Sequence, residues 1–148
     1  MTVLATPKSF TYHTSLDHVI GRTGIMHSGD KPELRVSAPP EFKGPDGLWT
    51  PEDLFVASIE TCLMLTFVGI AEKRDLQYVR YHSRAEGVLE WVDGSYRFTR
   101  VVLWPTITVV SADHIPAARA VLERAHATCL VARSLVTEVL VDPFFVVL

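Results

Sequence analysis

The stretch at residues 50–67 reads TPEDLFVASIETCLMLTF, and it decides the fold. Thr50 is a good helix cap, and a proline follows it at a position where the missing N–H costs nothing. The acidic pair that begins at Glu52 complements the helix dipole in the first turn. Beyond that pair, Glu60 is the only charged residue before residue 72. The pattern therefore predicts a helix that is buried nearly all round, with Cys62 near its centre.

The segments around this helix predict an α+β fold. Alternating side chains indicate a strand over residues 9–16, and a second strand is expected over 33–38. After the helix the period changes to two, and a turn at Asp93–Gly94 indicates a hairpin. A second helical region over 115–135 and a closing strand over 137–148 complete the chain. Strands and helices do not alternate as in a βαβ fold, so we expect an α+β domain.

Composition narrows the function. The 148 residues carry a net charge of −3, so we expect no positive electrostatic potential that would attract nucleic acid or an anionic membrane. Residues 1–148 are expected to form a single domain without a signal peptide, located in the cytoplasm. The hydrophobic content of 48% is high. We expect the excess apolar side chains to be buried in a large subunit interface and not in a membrane.

The two cysteines, Cys62 and Cys129, are too few for a disulfide framework. They are either inert core residues or a redox or metal pair. A thiol in the middle of a helix cannot use the helix N-terminus to lower its pKa, so a reactive Cys62 is expected to need a nearby cation. His126 lies three residues before Cys129 and could share its helix face. These three residues could in principle bind zinc, but the sequence offers no second pair of closely spaced ligands. We therefore predict neither a metal nor a cofactor.

Further residues support a resemblance to a known family. Pro51, Glu52 and Leu54, followed by Cys62 and by Cys129 in an A-H-x-x-C arrangement, form a fairly specific joint pattern. The chain resembles the OsmC/Ohr family, the osmotically inducible protein C and organic hydroperoxide resistance proteins. This resemblance implies antiparallel sheets wrapped around a long buried central helix, in an intertwined homodimer.

The resemblance also implies an activity, a thiol-dependent peroxidase that reduces organic hydroperoxides and also hydrogen peroxide. Cys62 is then the peroxidatic thiolate, which becomes a sulfenic acid, and Cys129 resolves it as a disulfide. A dithiol reductant of the dihydrolipoamide type would restore both thiols.

In the family an arginine held by a glutamate stabilises the thiolate. Glu52 matches the glutamate, and Arg22, in the G-R-T-G turn, matches the arginine, with Arg35 as the competing candidate. Ten helical residues place Glu52 roughly 15 Å along the axis from Cys62. We therefore expect each glutamate to approach the cysteine of the other chain, across antiparallel copies of the helix.

Two alternatives stay open. The chain could be a non-catalytic binding protein for an apolar molecule, with unreactive cysteines, or a cysteine hydrolase with His126 as base. It also departs from the family pattern, because Leu130 follows the second cysteine where many members have proline. The loop before the helix likewise differs from the glycine-rich loop of the relatives. These departures bear on the subfamily and on the preferred peroxide.

Overall fold

The computed structural model describes residues 8–148. The chain forms two compact units, one that ends at Pro51 and one that runs from Glu52 to Leu148. Strands occur in both units, and nearly all helical residues belong to the second. The α+β class is thus confirmed, and the single domain over 1–148 stays a prediction.

The first unit is a three-stranded antiparallel sheet in sequence order. Its strands are β1 (Ser15–Ile20), β2 (Thr23–His27) and β3 (Leu34–Ser37). The strand predicted over 9–16 is wrong in extent, because pairing with β2 begins only at Ser15. Phe10 and Tyr12 suggested that strand by their alternation, but they are exposed and lie before it. A loop with one 3-10 turn, at Pro40–Phe42, follows β3.

In the second unit, strand β5 lies at the centre of a sheet. The elements are α1 (Pro51–Lys73), β4 (Arg80–Val92), β5 (Ser95–Val109), a 3-10 turn (Ala112–His114), α2 (Ile115–Thr128), α3 (Leu130–Arg133), β6 (Glu138–Val141) and β7 (Phe144–Val147). Strand β4 pairs antiparallel with one edge of β5, and β6 and β7 pair parallel with the other.

The predicted hairpin between β4 and β5 is confirmed. Asp93 and Gly94 have φ values of 50° and 88°, so both occupy the left-handed region. A two-residue turn with positive φ at both positions matches the right-handed twist of the paired strands, and Asp-Gly is a preferred sequence for it.

The closing strand predicted over 137–148 is wrong in one respect, because the segment forms two strands. Both pair with β5 in the same register, and continuing that register places Pro143 opposite Pro105. Neither proline has an N–H to donate, so the ladder is interrupted where they meet.

The core of the second unit joins β5, α1 and α2. Strand β5 turns every second side chain inward, as the pleat requires, and each helix adds one stripe at helical spacing. The core residues are Val101, Leu103, Ile107 and Val109 of β5, Ile59, Leu63, Phe67 and Ala71 of α1, and Ala118, Val121, Leu122 and Ala125 of α2.

Helix α1 is buried on one side only, so the prediction that it is buried nearly all round is wrong for the single chain. Leu65, for example, is 59% exposed. The most apolar 18-residue window of α1 has a mean hydropathy of 2.0, and 22% of it is buried. By length and composition this helix could cross a membrane, although core helices of other proteins have the same properties. Its open apolar side has to be explained by something outside the second unit.

Candidate functional site

Cys62 lies near the middle of α1, as predicted, on a side that the core stripe leaves open. A groove of about 600 Å³, here called the Cys62 groove, runs along this side. Apolar side chains form most of its wall, and three hydroxyls interrupt them. The lining residues are Leu54, Ala57, Ser58, Thr61, Cys62, Leu65, Thr66 and Leu130. The thiol therefore faces an apolar recess that belongs entirely to the second unit.

Cys129 lies at a break between two helices, not inside one helical region as predicted. Helix α2 ends at Thr128, and α3 begins at Leu130. Between them Cys129 has extended backbone, with φ −60° and ψ 110°, and its side chain is 1% exposed. The break redirects the chain so that the backbone after Cys129 turns toward Cys62.

Cys62 and Cys129 are both free cysteines, and they are close enough for each to influence the pKa of the other. The sequence alone could not tell whether Cys62 and Cys129 come within reach of each other. Packing of α1 and α2 into one core brings them together. The site can therefore support chemistry between the two sulfurs.

Burial is the largest single influence on the Cys62 thiol, and by itself it would raise the pKa. Hydrogen bonds outweigh burial and lower the pKa below its ordinary value. The groups responsible are the Val131 N–H, the Cys129 thiol and the Leu130 N–H. The Thr66 hydroxyl lies 4.0 Å from the sulfur, but it donates its proton to the Cys62 carbonyl oxygen at 2.7 Å. The sequence argument required a cation for this effect; within the described second unit, uncharged donors produce it.

The Cys129 thiol is shifted in the opposite direction. Burial raises its pKa most, and the neighbouring Cys62 raises it further through a hydrogen bond and through charge. Backbone hydrogen bonds from Ala132 and Val131 oppose this without cancelling it. The ionised form is thus stabilised at Cys62 and destabilised at Cys129.

A small polar cluster, which the sequence analysis missed, lies between α1 and β4. Ser83 donates a hydrogen bond of 2.5 Å to Oε1 of Glu60. Beside it, the Tyr81 hydroxyl is buried without a hydrogen-bond partner among the described residues. Burial, the Glu60 carboxylate and Cys129 together raise the Tyr81 pKa strongly. Glu60, the lone charged residue within the apolar run of α1, is thus half-buried against β4.

His126 does not join the thiols, which corrects the prediction that it shares a face with Cys129. Its Nε2–H donates to the carbonyl oxygen of Val139, at 3.1 Å. Since α2 ends before Cys129, the i, i+3 relation fails at that point. His126 therefore ties α2 to β6, and the hydrolase alternative loses its proposed base. Among residues 8–148 no group of three or more histidine, cysteine or acidic side chains is arranged to hold a metal ion.

The two candidate arginines lie on the sheet of the first unit. Arg22, in the turn between β1 and β2, lines a cavity of about 370 Å³ together with Leu16 and Val36. Arg35 is the neighbour of Val36 on β3, so strand alternation directs it to the opposite face. The two arginine side chains thus lie on opposite faces of one sheet. Contact of either with Cys62 stays a prediction.

Glu52 occupies the first turn of α1, as predicted. Its Oε2 atom is buried and has no hydrogen-bond partner among the described residues. A buried carboxylate oxygen without a donor is costly, so this position favours an incoming hydrogen-bond donor. The predicted pairing with an arginine is chemically suited to it and stays a prediction.

Comparison with known proteins identifies the family. The family model described as OsmC-like protein matches residues 44–143, which include α1, both cysteines and most of the second sheet. The chain belongs to the OsmC-like protein family. The resemblance inferred from Pro51, Glu52, Leu54 and the two cysteines is thereby confirmed.

Solved structures share the OsmC-like fold. An OsmC-like protein of unknown function from Vibrio cholerae has a TM-score of 0.81 and 23% identity, covering 91% of this chain and 99% of that one. An organic hydroperoxide resistance protein from Elizabethkingia anophelis has a TM-score of 0.76 and 20% identity, covering 97% and 100%. The uncharacterized protein YmaD of Bacillus subtilis is 21% identical over 115 residues, 76% of each chain. At these identities the structures establish the OsmC-like fold.

We predict that the pKa of the Cys62 thiol lies below that of an ordinary cysteine and that the pKa of Cys129 lies above it. We expect Cys62 to be alkylated by iodoacetamide at a lower pH than Cys129, because donors lower the pKa of the first thiol while burial raises that of the second. Rates from about pH 5 to about pH 10 in separate Cys129→Ser and Cys62→Ser variants measure each thiol alone. Urea-unfolded protein is the control, in which both thiols should react alike. A Cys62 rate profile with its midpoint near about 8.5 in the folded protein contradicts this prediction.

Proposed function

We propose that this OsmC-like protein is a thiol-dependent peroxidase that reduces organic hydroperoxides, with Cys62 as the peroxidatic and Cys129 as the resolving cysteine. One finding carries the proposal: Cys62 and Cys129 are close enough for each to influence the pKa of the other, and the two pKa values move in opposite directions. A peroxidatic sulfur must be thiolate before the peroxide arrives. Its partner must remain a thiol until a sulfenic acid has formed.

The proposed chemistry balances in three steps. The Cys62 thiolate attacks the distal peroxide oxygen, the O–O bond breaks, and the leaving alkoxide takes a proton to become an alcohol. Sulfur now carries the oxygen as sulfenic acid. The Cys129 sulfur attacks it, its proton leaves with the hydroxyl as water, and a disulfide forms. A dithiol reductant, such as a dihydrolipoamide-like molecule, then returns both thiols and becomes a disulfide itself.

The Cys62 groove supports an organic substrate. Leu54, Leu65 and Leu130 offer apolar wall beside the reacting sulfur, and this suits the hydrocarbon part of an alkyl hydroperoxide. Hydrogen peroxide gains nothing from such a wall, so it would be a poorer substrate. The Elizabethkingia anophelis relative is described as an organic hydroperoxide resistance protein, which agrees with this class.

Removal of each cysteine should give a different defect. We expect Cys62→Ser to abolish dithiol-dependent loss of cumene hydroperoxide, because no thiolate remains to attack the peroxide. Cys129→Ser should consume one equivalent and then stall as a sulfenic acid that dimedone traps. Peroxide consumption with a dihydrolipoamide recycling assay, and mass spectrometry of the protein, measure both. Turnover that survives in Cys62→Ser ends the proposal.

The non-catalytic alternative uses the same groove and no redox chemistry. A binding protein would hold an apolar molecule against Cys62 and show no turnover in that assay. The lowered pKa of Cys62 argues against it, because a cysteine that only fills space has no need of a stabilised thiolate. We also propose a cytoplasmic location, since only two cysteines occur and the mechanism needs both reduced between cycles.

We further propose that Arg22, held by Glu52, completes the site. The guanidinium fork can pair with the unpartnered Glu52 oxygen and still offer donors to sulfur and peroxide. Arg22 is the better candidate of the two arginines, because it lines a cavity while Arg35 lies on the other face of its sheet.

Exchange of each arginine tests that choice. We expect Arg22→Ala to lower kcat/KM for cumene hydroperoxide by about tenfold or more, as loss of a transition-state donor does. Arg35→Ala is the matched control on the same sheet and should stay within about twofold of the parent. An equal loss in both variants, or a loss confined to Arg35→Ala, would reject Arg22.

A homodimer is part of the proposal, and the open side of α1 supports it. Two copies of α1 packed antiparallel would cover exposed apolar residues such as Leu65. The same packing would bring Glu52 of one chain toward Cys62 of the other, across a distance that one helix cannot close by itself.

Complementation between inactive variants tests this arrangement. Glu52→Gln and Cys62→Ser proteins are each expected to be nearly inactive as homodimers. Unfolding and refolding them together should give hybrid dimers with about half the parent activity, because one site in each hybrid then has both residues intact. The separately refolded proteins, mixed afterwards, are the control. If refolding together restores no activity, the glutamate serves its own chain or none.

A further inference from the structure

The Thr66 side chain contacts Cys62 at two atoms. One turn of α1 separates the two residues, and both line the Cys62 groove. The Thr66 hydroxyl donates to the Cys62 carbonyl oxygen at 2.7 Å, and its oxygen is in hydrogen-bond contact with the Cys62 sulfur at 4.0 Å. A threonine hydroxyl has a single proton, so it donates to only one of these two acceptors at a time. With that proton on the carbonyl, the S–H of a neutral Cys62 is the donor in the second contact.

The Cys62 carbonyl oxygen does not depend on the hydroxyl. It also accepts the Thr66 backbone N–H, because both residues lie inside α1 and helical hydrogen bonds join residues i and i+4. Threonine hydroxyls that bond to a carbonyl one turn earlier are common in helices and do not stabilise them. The Thr66 proton can therefore turn toward a stronger acceptor at little cost to the helix.

Ionisation of Cys62 creates such an acceptor. A thiol sulfur accepts hydrogen bonds weakly, whereas a thiolate is charged, and hydrogen bonds to charged groups are about twice as strong as those between neutral groups. Rotation about the Cβ–Oγ1 bond of Thr66 carries the proton from the carbonyl side to the sulfur side. The heavy atoms of α1 stay in place, so the change requires no rearrangement of the fold.

We propose that Thr66 is a switching hydrogen-bond donor, bonded to the Cys62 carbonyl while the sulfur is a thiol and to the sulfur once it is a thiolate. The hydroxyl thus gives its proton to the sulfur only when the reactive form is present. The value of this switch for turnover rests on the peroxidase proposed above, whereas the switch itself concerns only the Cys62 thiol.

The groups around Cys62 allow the effect of one hydroxyl to be measured. Among the described residues that line the Cys62 groove, no other carries an ionisable side chain. Cys129 is the titratable neighbour from the turn after α2, and Glu60, on α1 itself, accepts a hydrogen bond from Ser83 of β4. A Cys129→Ser background therefore removes the titratable neighbour and leaves Cys62 as the only thiol in the chain.

Alkylation by iodoacetamide in that background tests the switch. At about pH 6 we expect Thr66→Val, which keeps the shape and loses the hydroxyl, to react about threefold more slowly than the parent. Thr66→Ser restores the hydroxyl and should return to the parent rate. Above about pH 10 the thiolate predominates in every variant, and the rates should agree within about twofold. Equal or faster alkylation of Thr66→Val at the lower pH overturns the proposal, because an oxygen that only accepts hydrogen bonds gives that result.

Ser58 provides a matched control. Its hydroxyl also lines the Cys62 groove and also donates to a backbone carbonyl of α1, that of Phe55, at 2.7 Å. Unlike Thr66, it makes no hydrogen bond to the Cys62 sulfur among the described residues. Ser58→Ala should therefore react at the parent rate. The same slowing in Ser58→Ala as in Thr66→Val would assign the effect to the polarity of the groove and reject the switch.

A second measurement follows the carbonyl and needs no change at Thr66. When the Cys129→Ser protein is labelled with a heavy carbon isotope at the cysteine carbonyl, Cys62 supplies the one labelled peptide group. We expect its infrared carbonyl band to move to higher frequency as Cys62 ionises, because the carbonyl then loses the hydroxyl bond. Thr66→Val has no hydroxyl to lose and shows the effect of the thiolate charge alone. A band that moves no further with Thr66 than with valine overturns the proposal.

Neither measurement uses a peroxide, so the two proposals can fail separately. Slowed alkylation of Thr66→Val, with no peroxide turnover in the parent, would keep the switch and reject the peroxidase. Normal turnover with equal alkylation rates would do the reverse.

Discussion

The contact between the Cys62 sulfur and the turn at residues 129–131 is the interaction on which the site depends. Two groups of core residues hold the elements that carry the cysteines in place. The stripe of α1 through Leu63 fixes the helix that carries one sulfur, and the stripe of α2 through Val121 and Leu122 fixes the turn that carries the other. Both helices pack against strand β5, and this common packing places the two cysteines near each other. The chemistry is therefore held by ordinary hydrophobic packing.

Helix α1 has to satisfy two demands that conflict in a single chain. Its core side needs apolar residues, and the Cys62 groove on another side is apolar as well, so little polar surface remains to face water. An exposed apolar helix face of this length is a liability unless something covers it. A second copy would cover the surplus and enclose the thiol in one step. The apolar composition of α1 and the position of its cysteine then have a common cause.

The sequence predicted what depends on local pattern. The cap, the acidic first turn and the apolar run placed α1 correctly, and Asp93–Gly94 placed the hairpin. Features set by tertiary contacts were not predictable in this way. The break at Cys129 is one such feature, because no proline or glycine occurs near it in the sequence. The influence of Leu130 and Val131 on Cys62 comes from their backbone N–H groups, so no pattern of side chains could predict it. Likewise the hydrogen bond between Glu60 and Ser83 could not be predicted, because Ser83 lies 23 residues away on another element.

The electrostatic influence of Cys62 on Cys129 also bears on the order of steps in the proposed reaction. Part of what keeps Cys129 protonated is the charge on Cys62. When Cys62 is oxidised to sulfenic acid that charge disappears, and the influence on Cys129 disappears with it. The resolving sulfur thus becomes easier to ionise only after the first step has occurred, while its burial still shields it from peroxide in solution. Attack of Cys129 on the sulfenic acid is then coupled to the oxidation of its neighbour by electrostatics alone, without a conformational signal between the two steps.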